Sequence, residues 1–364
     1  VQDGNTVSDY EPEEVKRGGS IQTTLIAYVS DESKINFLDT PGYEDFIGEM
    51  VSATKVVESA AILVTAQSGV DVGTERAWDL SEANGLPRCM VINKMDRENA
   101  EFAQTVNAIQ SSFGTQCVPF QFPIGSEQSF SAVLDVIRPP DNIPGDLQSE
   151  FDGFRDRLVE AIAESDDGLA DKYLEGKELS QDEILMGARE AIRKGNLVPI
   201  LTTSATKNIG VKELAEFIQE FMPSPINGIS PTVSDEAGNK LSIEVDSGAP
   251  MAGFVFKTTA DPFVGKLSVF RVYQGTITSN SEIWNSERKQ SERVGQLYLP
   301  RGKSQENVPE VSAGDMGAVG KLSSTVTGDT LCVKENPMVF DRVQFPVGFY
   351  SVAVAPATKA DLDK

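Results

Sequence analysis

The chain has 364 residues, 32 basic and 55 acidic side chains, and no histidine. The missing imidazole excludes Ser-His and Cys-His nucleophilic pairs and any histidine metal site. Three widely spaced cysteines, at 89, 117 and 332, exclude a zinc site or a disulfide framework and suit a reducing compartment.

No apolar run approaches the roughly 18 residues of a membrane span, and no charged-then-apolar leader is read at the start. The expectation is a cytoplasmic protein with no membrane segment. The net charge of −23 comes almost wholly from the first half, whereas residues 250–337 are close to neutral and can approach phosphate without general repulsion.

In chain order, the first candidate strand is 35–38 (Ile-Asn-Phe-Leu), followed by a helix over 43–59. A strand at 61–65 (Ala-Ile-Leu-Val-Thr), a helix over 73–84 and a strand at 89–92 (Cys-Met-Val-Ile) come next. Short, continuously apolar runs of this kind suit strands buried on both faces of a parallel sheet. About a hundred residues then separate that last strand from the next, at 198–202, far more than an ordinary crossover needs.

This interval holds a Pro-rich segment at 138–145 and an acidic helix with Phe151, Phe154, Leu158 and Ile162 on one face. A further helix near 181–194 carries Ile184, Leu185, Ala188 and Ile192, and the whole reads as an inserted subdomain. Val211, Leu214, Phe217, Ile218 and Phe221 recur at helical spacing over 211–221. Alternating strand and helix implies a doubly wound α/β domain. After Met222-Pro223-Ser224-Pro225, residues 250–337 turn to short alternating runs with Gly, Asn and Pro turns, the texture of a closed β-barrel.

Three motifs fall at the carboxyl ends of these strands, where such sheets bind ligands. In Asp39-Thr40-Pro41-Gly42, a carboxylate can hold a hydrated Mg²⁺ and the glycine lets its N–H approach a terminal phosphate. In Asn93-Lys94-Met95-Asp96, Asp96 can accept from the ring N–H and exocyclic amine of guanine, a pair adenine does not offer. Asn93 supplies an amide for the base edge and for bracing, and the Lys94 stem can lie along the base plane. In Ser204-Ala205-Thr206, a small residue with a free N–H can donate to the guanine oxygen. Each alone is weak, and Asp-x-x-Gly is a common turn. The three in this order indicate a guanine-nucleotide site. No G-x-x-x-x-G-K-[ST] phosphate loop occurs in the chain, and the expectation is that the sequence begins downstream of one.

At these residues the chain resembles the bacterial elongation factor G family of translational GTPases. Lys16-Arg17-Gly18-Gly19-Ser20-Ile21 is similar to the family's switch I end, usually Arg-Gly-Ile-Thr-Ile. Asp39-Thr40-Pro41-Gly42 with Asp45-Phe46 resembles switch II, and the 91–97 and 203–205 segments resemble the base-reading loops. Segments 261–265, 270–273 and 328–332 are similar to its barrel, and 355–361 to the start of its third domain. The family histidine after the switch II glycine is replaced by Tyr43. A phenol stays neutral near pH 7 and cannot act as an imidazolium, though it can orient water. With the opening Thr6-Val7-Ser8-Asp9-Tyr10, this resembles the family's tyrosine-bearing paralogues.

The resemblance implies a P-loop-type α/β GTPase core, incomplete at its N-terminus, with an inserted α+β G′ subdomain and an all-β barrel after it. The implied division is GTPase domain 1–96, G′ insertion 97–197, GTPase domain 198–225, linker 226–249, barrel 250–337 and third-domain start 338–364. It implies GTP/GDP and Mg²⁺ as cofactors, with Ser20 and, through water, Asp39 as metal ligands. Gly42 and Tyr43 stand at the catalytic position. Implied partners are ribosomal RNA of the small subunit and stalk proteins of the large subunit, for a monomer off the ribosome. The activity would be ribosome-stimulated GTP hydrolysis. The alternatives are a GTP-dependent ribosome-binding regulator with weak hydrolysis and a ribosome-protection or release-type GTPase.

Overall fold

The computed structural model describes residues 6–30, 33–261, 265–348 and 350–358. The sequence expectations at Pro262-Phe263-Val264 and at Lys359-Ala360-Asp361 lie outside the described residues. The chain forms two compact units, Val1–Val56 with Ser230–Lys364, and Val57–Ile229.

The first unit opens with α1 (Pro12–Arg17), which starts on a proline whose missing N–H costs a helix start nothing. Its Glu14 is buried and works at both ends. Oε2 accepts from Glu11 N at 3.1 Å, while Oε1 accepts from Ile21 N at 2.9 Å and Gln22 N at 3.1 Å. One carboxylate thus ties the helix start to the 18–22 loop.

Strands β1 (Thr24–Val29) and β2 (Lys34–Asp39) then form an antiparallel hairpin, with Leu25 opposite Leu38. The 35–38 strand therefore exists, but not in a parallel sheet as its apolar run suggested. It ends a ten-stranded antiparallel sheet, half-buried on both faces. Polar side chains of β2 also reach along the sheet: Lys34 Nζ meets both Asp315 oxygens at 2.7 Å, and Asn36 Nδ2 reaches Asp315 Oδ1 at 2.9 Å. A 3-10 turn at Glu44–Phe46 leads into α2 (Ile47–Ala53), shorter than the 43–59 helix expected. Beyond it, the carbonyls of Lys55 and Val56 accept from side chains of the β domain.

The second unit holds β3 (Ala60–Thr65), α3 (Val72–Ala83), β4 (Arg88–Asn93), α4 (Phe102–Phe113) and β5 (Cys117–Pro119). The β6 (Gln121–Ile124) and β7 (Ala132–Asp135) hairpin follows, then α5 (Gln148–Glu164), α6 (Asp167–Leu174) and α7 (Gln181–Arg193). Strand β8 (Val198–Thr202) and α8 (Val211–Phe221) close the unit. The parallel sheet runs β3-β4-β8-β5. Strand β5 lies inside the interval read as an insertion, so the chain leaves the core sheet only after 119; three residues of strand are too short for periodicity to reveal.

Phe151, Phe154, Leu158 and Ile162 of α5 are buried as their spacing demands, each contributing about 1.5–3 kcal/mol. Phe151 and Phe154 join Phe102 and Phe122 in tilted and edge-on ring contacts. The excursion thus shares one core with the sheet. Cys89, Cys117 and Cys332 are buried and unpaired.

The rest of the first unit is antiparallel. Strands β9 (Thr232–Ser234) and β10 (Lys240–Ser242) fall in the segment read as a linker. The β domain proper comprises β11 (Ala252–Asp261), β12 (Gly265–Gln274), β13 (Thr276–Thr278), β14 (Glu282–Asn285) and β15 (Gln290–Arg293). Next come β16 (Leu297–Arg301), β17 (Ser304–Val308), β18 (Glu310–Ser312), β19 (Met316–Gly320) and β20 (Thr330–Cys332). Its core gathers Val255, Phe270, Val272, Val294, Val319 and Leu331.

Among the described residues the pairing runs from β15 through β14, β20, β11, β12, β19 and β16 to β1 and β2. The β1–β2 hairpin continues the sheet from β16, through the pair Ile26–Arg301. Strand β21 (Val339–Phe340) pairs with β9, so the start expected for a third domain contributes its first residues to this unit. Beyond it, Val347, Tyr350, Val352 and Val354 are exposed.

Candidate nucleotide site

In the second unit, two loops converge. One follows β4 and carries Asn93, Lys94 and Asp96; the other follows β8 and carries Ser204, Ala205 and Thr206. Parallel pairing of Ile92 with Thr202 brings the two strand ends side by side. Ser204 Oγ donates to Asp96 Oδ1 at 2.6 Å, and Thr206 Oγ1 to Oδ2 at 3.4 Å. Arg97 Nε stands 3.9 Å from Oδ2.

Burial works to raise the Asp96 carboxyl's pKa, but the Ser204 bond, a backbone N–H, Arg97 and Lys207 outweigh it and hold it below its usual value. The group is therefore an ionised acceptor at neutral pH. Its Oδ2 keeps lone pairs for two adjacent N–H donors.

Asn93 braces both loops. Its Oδ1 accepts from Lys94 N at 2.8 Å, Thr203 Oγ1 at 3.2 Å and Ala205 N at 3.1 Å. The Ala205 N–H is thus not free, as the sequence reading had it, because the asparagine oxygen gathers every donor within reach. Lys94 takes a left-handed backbone (φ 63), a strained choice for lysine that persists only where the surroundings enforce it.

The second loop is pinched shut by paired bonds between Ser204 and Ile209, at 2.9 and 3.1 Å. It ends at Gly210 (φ 73), where a Cβ would stand 2.2 Å from the Thr202 carbonyl oxygen. Only glycine fits there. The sequence singles out neither Lys207 nor Gly210, and places Arg97 and Thr203 in the base-reading segments without a role of their own. Gly210, sitting just before the helical spacing begins, was the one with a visible signal.

The remaining site residues belong to the first unit. Asp39 ends β2, and Thr40, Pro41, Gly42 and Tyr43 follow on an irregular stretch. Crowding by protein raises the Asp39 carboxyl's pKa, a Ser8 hydrogen bond opposes this, and the charges of Asp9 and Glu14 add to the rise. Ser20 Oγ donates to Asp9 Oδ1 at 2.7 Å. Asp9, which the sequence marks only as part of the opening 6–10 segment, thus links Ser20 to the Asp39 environment.

Among the described residues no cluster of three or more His, Cys, Asp or Glu has metal-holding geometry. A hydroxyl and carboxylates with an uncompensated negative field do fit Mg²⁺, which takes one or two protein ligands and completes its octahedron with water and phosphate oxygens. No protein atom lies within 4 Å of a Cβ built on Gly42, so its backbone is open to close approach.

The family model of the elongation factor Tu GTP binding domain matches residues 1–224, and that of elongation factor G domain 2 matches residues 250–334. The chain belongs to the elongation factor G-like family of translational GTPases. This elongation factor G-like chain is similar to a protein from Thermus thermophilus whose crystal structure is known, with 30% sequence identity and a TM-score of 0.79. The match covers 92% of this chain and 49% of that one, so the elongation factor G-like chain spans about half its relative's length. Its family membership carries guanine-nucleotide binding. No helix among the described residues is long and apolar enough to cross a membrane.

Proposed function

We propose that this protein hydrolyses GTP in response to the ribosome, as an elongation factor G-like factor in translocation or an accessory step. The observation that carries the reading is the Asp96 carboxylate, kept ionised beside Ser204 at the mouth of two braced loops. Asp96 takes the paired donors of guanine, Asn93 fixes the loops, and Lys94, Ser204, Ala205 and Thr206 line the base.

On the phosphate side, Gly42 offers its N–H to the γ-phosphate, with Thr40 and Pro41 setting the turn. Ser20 and, through water, Asp39 hold Mg²⁺, which supplies charge neutralisation at the phosphates. Tyr43, 60% exposed, can hydrogen-bond the attacking water but cannot act as an imidazolium. Residues around 15–22 and 40–48 order on GTP and release after hydrolysis.

The β domain, near neutral, faces small-subunit ribosomal RNA, and the acidic G′ excursion faces the large-subunit stalk proteins. The protein works in the cytoplasm as a monomer off the ribosome. GTP turnover, measured with and without ribosomes, is the test: stimulation by orders of magnitude supports the reading, and bound GTP without stimulation rejects it.

The exposed phenol favours one other reading, a GTP-dependent ribosome-binding regulator with weak hydrolysis. Under it Tyr43→His gains strong ribosome-dependent turnover, whereas a wild type that is already fast excludes it.

A further inference from the structure

The residue beside Ser20 is a glycine that its backbone does not require. Gly18, one position earlier, has a left-handed φ of 68°, but Gly19 has no positive φ and any residue could adopt its conformation. Its bareness answers to space instead. A Cβ built on Gly19 would meet a single neighbour within 4 Å, Tyr43 Cε2 at 3.5 Å. That is ordinary contact for a methyl group, and a β-branched side chain fills two of the three staggered positions beyond it, which leaves less room on the side of the ring.

Tyr43 is held close to this turn by its surroundings. The strip from 17 to 23 runs along 43 to 49: the Arg17 guanidinium lies 5.3 Å from the Phe46 ring centre, and Thr23 N donates to Glu49 Oε2 at 2.7 Å. Tyr43 itself has an extended backbone (φ −83, ψ 137) and precedes the 3-10 turn, with its carbonyl taken by Phe46 N at 3.0 Å. Its backbone is fixed, and the ring is largely exposed. One edge of the ring, at Cε2, faces Gly19.

We propose that Gly19 is a positioning residue for Tyr43: its missing side chain lets the phenol ring lie over the turn that presents Ser20, and a β-branched residue at 19 displaces it. The ring has two places to be, against the turn or out in water, and the size of residue 19 selects between them. This rests on the reading of Tyr43 as the group that orients the attacking water.

The test is a double-mutant cycle of Gly19→Val and Tyr43→Ser, read by ribosome-stimulated kcat and KM for GTP and, separately, by the urea midpoint without ribosomes. With Tyr43 present, Gly19→Val lowers kcat roughly tenfold or more, the scale expected when a reacting group is misplaced, while KM for GTP and GDP affinity stay unchanged. It also lowers the urea midpoint. In the Tyr43→Ser background the valine changes neither quantity further. Gly19→Ala, whose methyl fits, stays within about twofold of wild type and keeps the test informative if the valine protein folds poorly. Equal losses in both backgrounds overturn the proposal. If the wild type shows no ribosome-stimulated turnover, the functional reading fails, and the midpoint cycle alone decides the pair: non-additive supports it, additive overturns it.

Discussion

In the proposed function, Asp96 is the residue on which nucleotide choice turns. Its Oδ1 is engaged by Ser204 while Oδ2 has long contacts from Thr206 and Arg97, so the acceptor is aimed without being used up. Asp96→Asn replaces an acceptor by a group that also donates, and the preference should move from guanine toward xanthine nucleotides, whose 2-position is a carbonyl. Competition binding should show a specificity change of roughly 10³-fold or more, in line with buried polar mispairing; unchanged discrimination would remove Asp96 from the base. This residue was legible because Asn-Lys-x-Asp at a strand end has a chemical reason to be there. Asp9 and Glu14 were not, because their work is done across loops by geometry that spacing does not encode.

At the scale of elements, α2 is fastened to the β domain by buried polar contacts. Arg271 Nη1 donates to Val56 O at 2.5 Å with its guanidinium 4.6 Å from the Tyr273 ring centre, and Tyr273 Oη donates to Lys55 O at 3.2 Å. Lys257 Nζ meets Thr23 O at 2.7 Å and Glu49 Oε2 at 3.2 Å. Arg271→Met strips the Val56 carbonyl of this donor, and the urea midpoint should report a loss of about 1–3 kcal/mol.

A pH dependence belongs to the α6–α7 pair. Lys172 Nζ lies 2.6 Å from Glu183 Oε2, and with the Ser180 N–H and hydroxyl it pulls the Glu183 carboxyl down to about 2. A depressed folded pKa stabilises above the ordinary value of 4.5 and loses that contribution as pH falls toward about 2. The stability difference between wild type and Glu183→Gln should therefore be present at neutral pH and vanish by the acid end of that window. Helix α8 and strand β8 were legible to the residue because their patterns are strong. Strand β2 joins a different sheet from the one its pattern suggests, since Ile35, Phe37 and Leu38 look the same to a periodicity argument whichever partner they find, and the pairing of β1 with β16 lies far along the chain.

On the scale of the molecule, each unit has its own apolar core, and calorimetry should resolve two transitions instead of one. GDP at about a hundred times its dissociation constant should stabilise the unit it contacts by about 2.7 kcal/mol. Because all the residues proposed to read the base lie in the unit Val57–Ile229, its transition should move with GDP, and Asp96→Asn should abolish that movement.

The division itself was the least legible feature: residues 1–56 read as the opening of the α/β domain, yet they fold with the β domain through β1, β2 and α2. This continuity has a mechanical meaning. The turn bearing Ser20 runs directly into β1, which is hydrogen-bonded to β16, so a tug on that turn is transmitted to the β sheet along a continuous backbone, with no joint in between to absorb it.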